Sequence, residues 1–228
     1  MKSLTVLVPF FNEEKSIIDS LQELDKISIA NEIILIDDGS TDSSFKLVQN
    51  FIFGKDKYKI IQSDVNRGKG AALNQSKSSI TSEYVVIHDA DLEYDPQDLE
   101  EMYKLIEKDN LVLGSRFIGT KKRNNIYFRT FFANKVMSFF FSILNNKKIT
   151  DVATCYKMMP SIYFINTNFV EKGFSIEIEI MSKFLKFSKN IIEVPISYSG
   201  RSYEEGKKIK TIDGFQYIYN TIKYRFFE

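Results

Sequence analysis

Residues 85–96 read Val-Val-Ile-His-Asp-Ala-Asp-Leu-Glu-Tyr-Asp-Pro, an apolar run that stops at two carboxylates one residue apart. Such a run marks a strand buried on both faces of a parallel sheet. Asp89 and Asp91 then emerge where the strand ends, and open α/β sheets bind ligands in the crevice beyond their strands' carboxyl ends. Two carboxylates about 4 Å apart repel by roughly 4 kcal/mol at an intermediate dielectric. A divalent cation removes that penalty and can hold a phosphate, so the pair reads as a metal and nucleotide-phosphate site. Aspartates at strand ends also cap ordinary turns, and the rest of the chain has to decide.

The same alternation continues to either side. Leu4–Pro9 reads as a buried strand and Glu13–Leu24 as an amphipathic helix. Glu32–Asp37 is a second strand, closed by Asp38-Gly39-Ser40-Thr41-Asp42, with a helix to about Phe51. A third strand, Tyr58–Ser63, leads to Asn66-Arg67-Gly68-Lys69-Gly70-Ala71, which opens a helix to about Ile80. The fourth strand is Tyr84–Asp89, followed by a helix from Pro96 to Lys108. Strands alternating with helices predict an α/β fold with a mostly parallel central sheet and right-handed crossovers. Beyond it, Leu111–Arg116 reads as a strand, Glu171–Phe187 as a helix and Ile191–Ser197 as a strand, with Pro195 favouring an edge. A closing helix, about 212–226, carries Ile212, Phe215, Ile218, Ile222 and Phe226 near one face.

Composition narrows the class. The 228 residues, 43% hydrophobic and 27% charged, suit one globular domain. Residues 1–110 would form a nucleotide-binding half, and 111–228 a second, less regular half. Net charge is +1, so no global field argues for nucleic acid. The single cysteine, Cys155, excludes an internal disulfide and a multi-cysteine zinc site. The single histidine, His88, leaves little room for histidine chemistry, and both read as buried filler. The first residues do not read as a signal peptide, and no apolar stretch approaches the roughly 20 residues of a membrane span.

Residues 126–146, Ile-Tyr-Phe-Arg-Thr-Phe-Phe-Ala-Asn-Lys-Val-Met-Ser-Phe-Phe-Phe-Ser-Ile-Leu-Asn-Asn, are unusual. Phe128, Phe132, Val136, Phe139, Phe140 and Ile143 fall on one helical stripe, while Arg129, Asn134 and Lys135 interrupt it and Lys121-Lys122-Arg123 precede it. The segment reads either as an amphipathic interfacial helix or as a core or homodimer helix.

Four strand ends thus send polar groups to one edge of the sheet: Pro9–Glu13, Asp37-Asp38, the Asn66–Gly70 loop, and Asp89 with Asp91. At this point the chain resembles the family-two inverting glycosyltransferases, which have a Rossmann-like "A" fold. The motifs are V-P-F-F-N-E-E at 8–14, D-D-G-S-T-D at 37–42, N-R-G-K-G-A-A at 66–72 and D-A-D at 89–91. Its second half is similar to the polyprenyl-phosphate members, the dolichyl-phosphate mannose synthases among them. The motifs there are G-S-R-F at 114–117, T-D-V-A-T-C-Y-K-M at 150–158, G-F-S-I-E-I-E-I at 173–180 and E-V-P-I-S-Y-S-G-R-S-Y-E-E-G-K-K-I at 193–209. The resemblance implies that Pro9, Phe11, Glu13 and Asp38 help hold the nucleoside. Asp89 with Ala90 would lie near nucleoside and ribose, and Asp91 with Asp89 would bind Mg²⁺ or Mn²⁺ at the diphosphate. Lys69 would sit close to the nucleotide.

Basic residues fit that chemistry, because a donor diphosphate and a lipid phosphate both need charge compensation. Arg116, Arg129, Arg201, Lys207 and Lys208 are the candidates. Ser202–Lys208 reads as a flap over the donor. The expected activity is metal-dependent, inverting transfer of a hexose from a UDP- or GDP-sugar to a polyprenyl phosphate, by a peripheral protein on the cytoplasmic face of a membrane. A phosphomonoester with a second pKa near about 6 attacks without a base. A saccharide hydroxyl, the alternative acceptor, needs one, and Asp151 is the candidate with Glu177 behind it. The catalytic set is then Asp91, Asp151, Arg116 and Arg201. Two departures touch the acceptor and the sugar: Glu93 stands where polyprenyl-phosphate enzymes often have Gln, and Ala153-Thr154-Cys155-Tyr156 where Ser-Gly-Phe often follows the aspartate. A non-catalytic nucleotide-sugar-binding protein is the remaining reading, and it has no need of Asp89, Asp91, Asp151 and Arg201 together.

Overall fold

A computed structural model describes residues 2–125, 128–201 and 211–228. The strands are β1 (Leu4–Phe10), β2 (Glu32–Asp37), β3 (Tyr58–Gln62), β4 (Tyr84–Ile87), β5 (Asn110–Ser115), β6 (Arg123–Asn124), β7 (Lys157–Pro160), β8 (Asn190–Pro195) and β9 (Tyr198–Ser199). The helices are α1 (Ile17–Asp25), α2 (Ser44–Ile52), α3 (Lys69–Gln75), α4 (Asp98–Leu105), α5 (Phe128–Asn145), α6 (Ser161–Asn166), α7 (Ile176–Phe187) and α8 (Thr211–Phe226). Seven strands form one sheet in the order β3-β2-β1-β4-β7-β5-β8, parallel except for β7. β1, β2 and β4 are buried almost throughout, which is why they read as unbroken apolar runs. One apolar layer packs on each face of this sheet, the architecture expected of the α/β fold.

The strand order reverses at β1 and β4, the switch point at which such sheets open a crevice. Pro9–Glu13 and Asp89–Asp91 follow those two strands, so the fold itself brings them together. Leu92, directly after the acidic pair, has φ of 60°, a costly conformation for a branched-chain residue.

α6, β6 and β9 were not expected, α7 begins at Ile176 rather than Glu171, and three further differences bear on the packing. β7 was hidden: its four residues are all buried, but Lys157 broke the apolar pattern. The helix opening at Lys69 stops at Gln75 and passes into a 3-10 turn, Lys77–Ser79, rather than running to Ile80. The closing helix packs through Tyr217, Asn220, Thr221 and Tyr224, while Ile218, Ile222 and Phe226 of its apolar stripe face outward. Its inner face is anchored by hydrogen bonds, with Tyr224 Oη donating to Glu171 Oε1 at 2.8 Å and Tyr217 Oη to Phe174 O at 3.0 Å. Hydrophobic periodicity cannot see such an anchor.

Candidate active site

A cavity of about 810 Å³ opens at the switch point, within the usual size of small-molecule sites. Its walls include Pro9, Phe11, Glu13, Asp38, Lys69, Asp89, Ala90, Asp91, Arg116 and Arg201, which the sequence had placed in separate motifs. The far wall comes from Thr130, Ala133, Asn134 and Met137 of α5 and from Gly214 and Tyr217 of α8. Asp151 does not line it. Lys207 and Lys208, with the rest of Ser202–Lys208, lie outside the described residues, as do Ile126, Tyr127 and the side chain of Arg129.

On the β1–β2 side, Asp38 shapes the neighbouring loop: its Oδ1 accepts from Arg67 N at 3.0 Å and its Oδ2 from Gly68 N at 2.7 Å. Gly68 needs its hydrogen side chain, since φ is 98° and a Cβ would stand 2.5 Å from Lys172 O. Gly70 is tighter still, with Glu171 O 2.1 Å from where a Cβ would lie. These two glycines press the loop onto the segment leading into α7, and Lys69 between them reaches Asp89 Oδ1 at 2.6 Å and Glu177 Oε1 at 2.7 Å. Burial opposes the ionisation of Asp89, but Lys69 overrides it and holds that carboxyl below its usual range.

Asp91 is held differently. Its Oδ2 meets Arg201 Nη2 at 2.8 Å, and Arg201 Nη1 reaches Glu13 Oε2 at 3.0 Å. Burial, then Glu93 and Asp89, push the Asp91 carboxyl up to about 7 against the pull of Arg201. That excess negative potential is what a divalent cation relieves, and an all-oxygen donor set suits Mg²⁺ or Mn²⁺. Among the described residues no three or more His, Cys, Asp or Glu groups gather into a ready cage. A cation at Asp91 would therefore complete its shell with ligand or water oxygens. The site fits the metal as a partner of a diphosphate.

Glu93, the departure at the Gln position, has a visible task. Its Oε2 accepts from Tyr198 Oη at 2.8 Å and its Oε1 from Arg201 N at 2.9 Å, so it ties the Arg201 backbone to the acidic loop.

Deeper in, Asp151 is fully buried and engaged by Arg116 through N, Nε and Nη2 at 3.0, 2.7 and 2.8 Å. Asp151 and Tyr94 offset the cost of burying Arg116 and fix its guanidinium as a cation. Tyr198 lies beneath it, 5.0 Å from the guanidinium carbon to the ring centroid. Asp151 thus orients Arg116 and does not itself reach the cavity wall. Glu177 is no freer, with Lys157 Nζ 2.5 Å from Oε2 on its other side. His88 is buried, its Nδ1 2.9 Å from Tyr156 Oη, and burial pushes the imidazole down to about 4, whereas Cys155, also buried, is more than filler: it lines the cavity and its thiol hydrogen-bonds Asp89. The sequence missed Tyr94, Tyr198 and Lys157 as parts of this site. All three stand inside quoted stretches, but only the fold shows that the tyrosines meet Arg116 and that the lysine meets Glu177.

Comparison with known proteins agrees with this geometry. Residues 5–166 match the family described as glycosyl transferase family 2, and the chain belongs to it. It is 25% identical over 225 residues to an uncharacterized protein of Methanocaldococcus jannaschii, covering 90% of this chain and 94% of that one. It is 25% identical over 228 residues to the dolichol-phosphate mannosyltransferase of Pyrococcus furiosus, covering 97% of this chain and 64% of that one. Glucosyl-3-phosphoglycerate synthase of Mycobacterium tuberculosis, solved with Mn²⁺, UDP and phosphoglyceric acid, superposes with a TM-score of 0.74 at 17% identity. That match covers 100% of this chain and 80% of the other, and establishes the glycosyltransferase A fold.

Proposed function

We propose that this family-two glycosyltransferase moves a hexose from a UDP- or GDP-linked donor to a polyprenyl phosphate, working as a peripheral protein on the cytoplasmic face of a membrane. One observation carries the reading: both carboxylates that the sequence offered as a base are already committed. Asp151 is locked to Arg116, and Glu177 stands between Lys69 and Lys157. A hydroxyl acceptor would need a base, whereas a phosphate dianion brings its own negative oxygen. Similarity to the Pyrococcus dolichol-phosphate mannosyltransferase supports the same acceptor.

In this account Pro9, Phe11, Glu13 and Asp38 border the nucleoside, and Asp91 with Asp89 would hold Mg²⁺ or Mn²⁺ at the diphosphate. The metal, when bound, offsets the charge that develops on the leaving diphosphate. Arg116 points a fixed cation at the acceptor phosphate, and Arg201 leaves Asp91 to meet the donor. The acceptor oxygen attacks the anomeric carbon opposite the leaving group, one C–O bond forms as the other breaks, and the configuration inverts.

The membrane contact is assigned to α5. Phe132, Val136, Phe139 and Ile143 recur on one face of it and are 45–68% exposed, with Lys121, Lys122 and Arg123 just before the helix. The opposite side of α5 lines the cavity, which gives a lipid a short path from bilayer to Arg116. No helix among the described residues is long and apolar enough to cross a membrane.

The test is incubation of the protein with Mn²⁺ or Mg²⁺, labelled UDP- and GDP-sugars and undecaprenyl phosphate in detergent, followed by organic extraction. Label in the organic phase, absent with Asp91→Ala, is the expected result. Nucleotide release that requires an added saccharide instead would move the acceptor to a sugar hydroxyl.

A further inference from the structure

Residues 171–174 lead into α7 and are gripped from two sides. One grip comes from the loop that opens α3. Where Gly68 and Gly70 would carry a Cβ, Lys172 O and Glu171 O already stand at 2.5 and 2.1 Å. Ala71 N adds a hydrogen bond to Lys172 O at 3.1 Å. Backbone meets backbone here with no side chain between, so any shift of residues 171–174 carries the loop with it. The loop is the one that Asp38 holds at Arg67 N and Gly68 N, and it delivers Lys69 to Asp89. The second grip comes from α8. Tyr224 Oη donates to Glu171 Oε1 at 2.8 Å, Lys223 Nζ stands 3.5 Å from the same oxygen, and Tyr217 Oη donates to Phe174 O at 3.0 Å. Tyr224 is fully buried, so its hydroxyl has no water to turn to if Glu171 moves away.

We propose that Tyr224, acting through Glu171, is a positioning residue for donor binding, and that α8 thereby sets how firmly the 66–72 loop is seated. The inference rests on the nucleotide-sugar reading of that loop and adds to it a residue from the far end of the chain. Neither Tyr224 nor Glu171 borders the cavity, so the effect passes through the packed backbone of residues 171–174. The bond that starts it is charge-assisted, about twice as strong as one between neutral groups. α8 packs on both α5 and α7, and with α5 it forms the far wall of the cavity. One helix thus joins that wall to the loop beside Asp89. A tie that served the fold alone would lower the unfolding temperature and leave the affinity for nucleotide as it was.

The experiment is calorimetric titration of UDP and of GDP, each with Mn²⁺, into wild type, Tyr224→Phe, Glu171→Ala, the double variant and Glu171→Gln. Tyr224→Phe and Glu171→Ala should each bind the preferred diphosphate about 5- to 20-fold more weakly. The double variant should bind no more weakly than Glu171→Ala, because both changes remove one tie. Glu171→Gln keeps an acceptor for the hydroxyl and should stay near wild type. In turnover, KM for the donor should rise in the two weakened variants while kcat holds. Thr221→Val is the control: its hydroxyl returns to Tyr217 O within α8 at 2.7 Å, so losing it should cost stability but no affinity. Unchanged affinity in Tyr224→Phe and Glu171→Ala, additive losses in the double variant, or an equal loss in Thr221→Val would make the tie an anchor of the fold alone, and the proposal falls. Wild type that binds neither diphosphate would overturn the donor reading itself, and this inference with it.

Discussion

Asp151→Asn separates a structural carboxylate from a catalytic base. The substitution keeps the shape of the side chain but removes the charge that faces Arg116, in a place where Asp151 is fully buried and Arg116 is 6% exposed. Three hydrogen bonds converge on the carboxylate, two of them from the guanidinium. Stranding that cation costs about 3–5 kcal/mol, because its burial is no longer compensated. At roughly 2–4 °C per kcal/mol for a domain of this size, thermal unfolding followed by circular dichroism should move down by about 6–20 °C. Joint replacement, Arg116→Met with Asp151→Leu, removes both charges and should recover most of the loss while abolishing transfer. The reasoning fails if Asp151→Asn unfolds at the wild-type temperature but has lost turnover, for that is the signature of a base.

Arg201→Ala removes the guanidinium from Asp91 and Glu13, so nucleotide-free Mn²⁺ binding, read by electron paramagnetic resonance, should tighten while turnover falls; weaker Mn²⁺ binding would refute the account in which Arg201 holds Asp91 until the donor arrives. Phe132→Asp with Phe139→Asp changes residues 60% and 68% exposed, and should leave the unfolding temperature alone while abolishing sedimentation with phosphatidylglycerol-containing vesicles. Unchanged sedimentation would move the membrane contact elsewhere, and a dimer in light scattering that the pair dissolves would give the face to a second copy. Away from the site, burial tends to raise the Asp25 carboxyl, but Lys55, Lys57 and Tyr58 hold it down to about 2. A depressed carboxyl stabilises above its unfolded pKa near about 4 and loses that contribution as pH falls toward 2. Asp25→Asn should therefore cost about 1 kcal/mol at pH 7, allowing for solvent screening, and much less as pH falls through about 2; a cost equal at both values would contradict the assignment.

Much of this was legible in the chain because it is written in runs and ends. β1, β2 and β4 are buried on both faces, so each showed as an apolar run, and the polar residues after each run landed in one cavity. The Lys157 strand was not legible, since its lysine is tolerated only because Glu177 stands opposite, a contact across 20 positions of sequence. The outward stripe of α8 misled for a related reason: Tyr217 and Tyr224 anchor by their hydroxyls, and periodicity counts only apolar side chains. Asp151 looked like a base because sequence shows a carboxylate and not its partner. Its pairing with Arg116, 35 residues away, exists only in the fold.

The account turns on an acceptor that supplies its own charge. The most direct test gives the same enzyme, metal and labelled donor either undecaprenyl phosphate or undecaprenol, equal in chain and different only at the nucleophile. Transfer to the phosphate with none to the alcohol is the predicted result. Comparable transfer to the alcohol would mean that a base operates in this site, and would contradict the central claim.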